Sequence, residues 1–160
     1  MRADTAKAAM WGALSTIALI ALGAFPQALL PPFFFLAVAV GYGFMLPVLA
    51  VLHARHQRHR ESGAILGTIS GTSVVVLGIV SASDPTIAAA ALFVRGIWWW
   101  TIGKMWWETG LLPRTFGLLT MMASIMAFVA CLVPTFAGPP LDLALAVWMA
   151  ALSVLLWRSR

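Results

Sequence analysis

The chain has 160 residues, 62% of them hydrophobic and 9% charged, with a net charge of +5, whereas a soluble domain carries about 25% charged residues. A small soluble domain exposes too large a share of its volume to hide this much apolar side chain, so a water-surrounded fold is excluded and lipid is the expected solvent. The basic residues fall in short clusters between apolar runs and build no extended face, which excludes nucleic acid as partner and favours anionic lipid head groups.

A membrane-spanning helix needs about 20 mostly apolar residues, and six stretches of this chain qualify. The first runs from about 8 to 30, with Pro26 near its end. It is about a bilayer's width long and no small-x-small cleavage site follows it, so it reads as a retained span rather than a signal peptide. Pro31 and Pro32 make the next turn, because a proline bars its predecessor from helical geometry. The second span is about 33–52, and Pro47 in its last turns predicts a kink.

The stretch 53–62, HARHQRHRES, is the strongly polar one, an inner loop that extends the helices flanking it or separates them. The third span is about 63–82. SASDPT, at 81–86, is a turn with Asp84 before Pro85. The fourth span, about 85–107, holds five of the eight tryptophans. A loop broken by Gly110 and Pro113 leads to the fifth span at about 116–133. PTFAGPP, at 134–140, is a proline-rich turn, and the sixth span covers about 141–157. Barrel strands alternate apolar and polar residues over about 10 positions. These runs are apolar on all faces over twice that length, and only a helix satisfies its own backbone over such a run in lipid.

The expected fold is therefore an all-α integral membrane protein of one domain, residues 1–160, with six spans paired as three helical hairpins. Alternate threading puts Arg2, Lys7, Arg55, Arg58, Arg60, Arg114, Arg158 and Arg160 on one side, with Lys104 able to snorkel there. The opposite side receives no cation and has Asp84 and Asp142 nearby. The preference of Lys and Arg for the cytoplasm then places both termini inside, in a bacterial inner membrane.

Arg95 is the residue that needs explaining. Ten residues at 1.5 Å each put it roughly 15 Å from the outer end of the fourth span, near mid-membrane, where an arginine costs on the order of 2.5–3.5 kcal/mol. It must face the bundle interior, a wet cavity or a partner. Tyr42 in the second span offers a hydroxyl, as do Ser70, Thr72 and Ser73 in the third, and Asp142 opens the sixth. Arg95, Trp99, Ile102 and Trp106 form one helical stripe. Gly96, Trp100, Gly103 and Trp107 form the adjacent one, alternating small and large as in a close helix contact.

Trp106 and Trp107 fall where an interfacial aromatic belt is expected, as do Trp11 and Trp157. Trp98 and Trp99 lie deeper, with Trp100. These three would pack, hold Arg95 by a cation–π contact, or stack on a flat cofactor or quinone. Gly63, Gly67 and Gly71 make a GxxxGxxxG face, with Gly78 a heptad further on, a pattern that lets helices approach closely in lipid. His53 and His56 share a helical face at a spacing that would suit a metal. Three neighbouring arginines and the lack of a carboxylate cluster argue against one, and a basic surface facing anionic lipid at 53–62 fits better. Histidine also titrates near neutral pH, which leaves a pH-sensitive gate open. Glu108 pairs with Lys104 four residues before it.

Cys131, the single cysteine, cannot form an intramolecular disulfide and reads as a small apolar residue. No nucleophile–base pair, paired carboxylate, phosphate loop or zinc spacing occurs, so no catalytic residue, no metal ligand and no particular cofactor is expected. Three functions compete. The leading one is a non-catalytic subunit or scaffold that packs against itself or other membrane chains. The second is a small transporter or channel with an anion-attracting site at Arg95. The third is a cofactor- or quinone-binding protein built on the deep tryptophans.

Overall fold

The computed structural model describes residues 2–24, 31–132 and 139–159. Seven α-helices account for most of them: α1 (Arg2–Ala24), α2 (Pro31–Gly43), α3 (Leu46–Gln57), α4 (Glu61–Ser81), α5 (Ala88–Thr109), α6 (Arg114–Leu132) and α7 (Pro139–Arg158), with a short 3-10 turn at Pro85–Ile87 ahead of α5. No strand occurs among the described residues. Pro31 and Pro32, expected to make a turn, instead open α2, and Pro139 and Pro140, the last two residues of the expected 134–140 turn, open α7, as suits proline in a helix's first turn. Residues 25–30 and 133–138, and the side chain of Asp142, lie outside the described residues.

Each helix follows from its local sequence. Helices α2 and α3 form one rod with a fault in it. Pro47 has no N–H to offer the Gly43 carbonyl, and its ring crowds that carbonyl, so the regular helix is interrupted at Phe44–Met45. Bonds on either side hold the rod together, from Phe44 N to Val40 O and from Leu49 N to Met45 O, both 3.0 Å. The rod continues beyond the expected end at residue 52, so the first half of the basic stretch, 53–57, is helical, and 61–62 already belong to α4. Arg60 is extended (φ −159°) and starts α4, whose first turn carries Glu61, a favourable charge at a helix N-terminus. Helix α5 ends where Gly110 turns left-handed (φ 68°) and gives its N–H to Trp106 O, a conformation that costs glycine least.

Four helical segments are long and apolar enough to cross a membrane: Ala3–Leu22, Phe34–Gln57, Glu61–Ser81 and Arg114–Leu132. Helix α5, expected as the fourth span, is not among them, because Arg95, Lys104 and its tryptophans dilute its hydropathy. The described apolar part of α7, Leu143–Arg158, is shorter. Large apolar side chains cover the outward faces, among them Ile17, Leu36, Ile69, Leu119 and Met126, all exposed.

Helix α5 is held between α4 and α6. Its most extensive contacts are with α6 and then α4, while α1 packs on α7, α2 and α3. Two of the three expected hairpins pack closely, α1 with α2 and α4 with α5. The third does not. Helices α6 and α7 face each other across a large side chain, Trp148, whose Nε1 donates to Thr120 Oγ1 at 3.0 Å. The backbone of α7 lies against α1 instead, where Gly12 leaves room for Ser153 and the Thr16 hydroxyl, which donates to Gly12 O at 2.9 Å, also approaches the Ala146 carbonyl at 3.3 Å.

Cations gather at one end of this bundle. Arg55 donates to Thr5 Oγ1 at 3.2 Å and to Ser159 Oγ at 3.1 Å, joining the end of α3 to the start of α1 and the end of α7. Arg60 bonds Glu108 at 2.5 Å, and Lys104 approaches the same carboxylate at 3.8 Å, as its spacing predicts. Asp84 sits between α4 and α5, at the other end of α4 from Arg60.

Candidate functional site

The glycines of α4 set the geometry from which the site is built. A Cβ at Gly78 would collide with the Tyr42 ring, one at Gly71 would lie 2.6 Å from Leu49 Cδ2 and 2.8 Å from Trp98 Nε1, and one at Gly67 would lie 3.3 Å from Ile102. The glycine face is therefore spent inside this chain: α2–α3 and α5 both press onto α4. Gly63 is looser, with Met105 Sδ at 3.4 Å. On α5, Gly96 accommodates Phe128 of α6. Gly103 meets Gly117 so closely that a Cβ on either would stand 2.8 Å from the other's carbonyl oxygen. Ser124 adds a hydrogen bond from its hydroxyl to Gly96 O at 2.7 Å.

Because α4 runs against both neighbours, α2–α3 and α5 run the same way, and their polar side chains pair in order along one seam. Deepest is Arg95, 2% exposed, whose Nη2 donates to Tyr42 Oη at 2.9 Å. At the basic end, Trp106 Nε1 donates to His56 Nε2 at 2.7 Å. Between them, His53 Nδ1 meets Thr68 Oγ1 at 2.8 Å, and the Thr68 hydroxyl lies 2.8 Å from Ala64 O. Ser70 and Ser73, the other candidate partners for Arg95, donate to carbonyls of their own helix, Leu66 and Ile69, and Thr72 faces outward.

Trp98, Trp99, Trp106 and Trp148 form an aromatic core. Trp98 and Trp99 are 1% exposed and lie against Trp148, with ring centres 5.1 and 5.9 Å away. Trp106 stacks on Phe116 at 5.4 Å and on Trp148 at 6.0 Å. Such aromatic pairs add about 0.5–1.5 kcal/mol each beyond their buried area. The stripe Arg95, Trp99, Ile102, Trp106 is buried throughout. The adjacent stripe divides: Gly96 and Gly103 meet α6, while Trp100 and Trp107 point outward. Trp106 is not part of a boundary belt. It is fully buried because His56 takes its N–H inside the bundle. Trp107, Trp11 and Trp157 are exposed as a belt requires.

Two features escaped the sequence reading. Trp148, the hub of the aromatic core, carried one signal: it lies in mid-run rather than at a span's end. The His56–Trp106 bond had none, since the partners are 50 residues apart. His53 and His56 border one small cavity but do not act as a pair. Each takes a different partner, and no group of three or more His, Cys, Asp or Glu residues suited to a metal occurs among the described residues. Cys131 is partly buried, and its thiol turns to the carbonyls of Ala127 and Ala89.

Set beside protein families, curated proteins and solved structures, the chain matches none of them.

Proposed function

We propose that this is a six-span inner-membrane protein acting as a non-catalytic subunit or scaffold, with both termini and the basic 53–62 segment on the cytoplasmic side. One observation carries the reading: several of the polar side chains able to do chemistry bond one another inside the bundle. Arg95 holds Tyr42, His56 holds Trp106, His53 holds Thr68, and Trp148 holds Thr120. A bundle so arranged offers its partners two things, apolar outward faces and a basic rim. Lipid tails and other membrane helices fit the first, and anionic head groups fit the second.

The test is extraction into native nanodiscs followed by cross-linking and native mass spectrometry. The reading expects a homo-oligomer or a reproducible second membrane chain. A monomer with no associated chain contradicts it. A second reading, anion passage at Arg95, is favoured by a guanidinium placed deep in the bundle beside a tyrosine hydroxyl. Proteoliposomes loaded with chloride or phosphate separate the two. The scaffold reading expects no flux above empty vesicles, and flux abolished by Arg95→Leu in a folded variant supports the second.

A further inference from the structure

A cavity of about 10 Å³ lies in the seam between α3, α4 and α5, bordered by His53, His56, Thr68 and Trp98 among apolar neighbours. That volume suits a single water, and a buried water needs two or more polar partners. Trp98 contributes a donor. Its Nε1 is buried and has no hydrogen-bond partner among the described residues, as is also true of Trp99 Nε1, whose ring does not border the cavity. An indole N–H can only donate, and leaving it unpaired costs about 1–3 kcal/mol.

The acceptor follows from the hydrogens. The Thr68 hydroxyl has one hydrogen, and it lies 2.8 Å from the Ala64 carbonyl, which can only accept. Thr68 Oγ1 is then left to accept from His53, so the His53 proton sits on Nδ1. The second, longer approach of Nδ1 to the same carbonyl, 3.4 Å, agrees, since a bare nitrogen gains nothing there. In the neutral ring Nε2 is then a bare acceptor. His56 cannot serve in its place, because its Nε2 already accepts from Trp106.

We infer that the cavity binds one ordered water, which accepts the Trp98 N–H and donates to His53 Nε2. The water ties α3 to α5 between the His56–Trp106 and Arg95–Tyr42 bonds. It fills the missing rung of the polar seam.

The test is NMR of the full chain in nanodiscs with ¹⁵N-labelled indoles, the Trp98 signal assigned by its loss in Trp98→Phe. The expected result in the wild type is a cross-relaxation peak from the Trp98 indole proton to a long-lived water, and an upfield shift of that proton in His53→Phe. No water peak, with an indole proton unmoved by His53→Phe, overturns the inference. So does a shift in His53→Phe without any water peak in the wild type, because it identifies a direct Trp98–His53 bond. The wild-type spectrum decides the matter even where a variant fails to fold.

Discussion

Trp106 donates its indole hydrogen to His56 Nε2 across 2.7 Å, between residues 0% and 2% exposed. The bond fixes the tautomer: Nε2 accepts, so a neutral His56 carries its proton on Nδ1. It also joins the cytoplasm-facing end of α3 to that of α5 in the proposed topology, where the two helices are otherwise separated by α4. Removing either partner strands the other. Trp106→Phe leaves a buried acceptor unpaired and is expected to lower stability by about 1–3 kcal/mol for the lost hydrogen bond. His56→Leu strands the indole donor at a similar cost. The double variant loses less than the sum of the two, and a double-mutant cycle by unfolding in mixed micelles reads the coupling.

Glycine contacts give a graded prediction. At Gly103 an added methyl meets backbone, the Gly117 carbonyl oxygen at 2.8 Å, which cannot move aside. At Gly63 it meets the end of the Met105 side chain at 3.4 Å, which can. Gly103→Ala is therefore expected to destabilise by about 1–3 kcal/mol, the usual range for overpacking, and Gly63→Ala by much less. Thermal unfolding of the two variants in one detergent makes the comparison. Equal losses would show that the α5–α6 contact is looser than described.

The fold was legible in the sequence where the signal is long and local. The all-helical fold with its long apolar helices, the Pro47 fault, the glycine face and the buried Arg95 stripe all follow from composition and helical period. Pairings between runs were not legible, because period says which face is buried and not what it meets. Thus the sequence offers Arg95 several hydroxyls besides Tyr42, pairs α7 with α6 by connectivity but does not say that its backbone packs on α1, and puts Trp106 in a boundary belt because tryptophan at that depth usually sits there. Trp148 was overlooked because an aromatic in an apolar run looks like any other core residue until its neighbours are known.

The Arg95–Tyr42 bond should be worth more than the other hydroxyl contacts. A hydrogen bond to a charged donor contributes about 1.5–3 kcal/mol, so Tyr42→Phe is expected to cost that much. Ser73 bonds only its own helix, at Ile69 O, and Ser73→Ala is expected to change stability by less than about 0.5 kcal/mol. Chemical denaturation of both variants in bicelles checks the contrast.

Asp84 supplies a pH signature at the opposite end of the bundle. The Thr86 hydroxyl and then its backbone N–H, at 2.6 and 2.9 Å, hold this exposed carboxyl below its ordinary value of 3.8. The folded value is the lower one, so the carboxylate's contribution is complete above the unfolded value and disappears as pH falls through the folded value. The difference in melting temperature between wild type and Asp84→Ala is expected to stay constant from neutral pH to about 5 and to shrink only below 3.8. A difference that changes around neutral pH would contradict the assignment.

The central claim is that the bundle crosses a bilayer with its cations on the cytoplasmic face, and side-specific cysteine labelling in intact cells tests it most directly. In a Cys131→Ser background, single cysteines are placed at Arg58, beyond the end of α3, and at Ser83, between α4 and the turn before α5; both positions are exposed. The account predicts that an impermeant maleimide added outside modifies the cysteine at position 83 and leaves the one at 58 untouched until the membrane is opened. Modification of position 58 from outside, or of both positions from the same side, would contradict it.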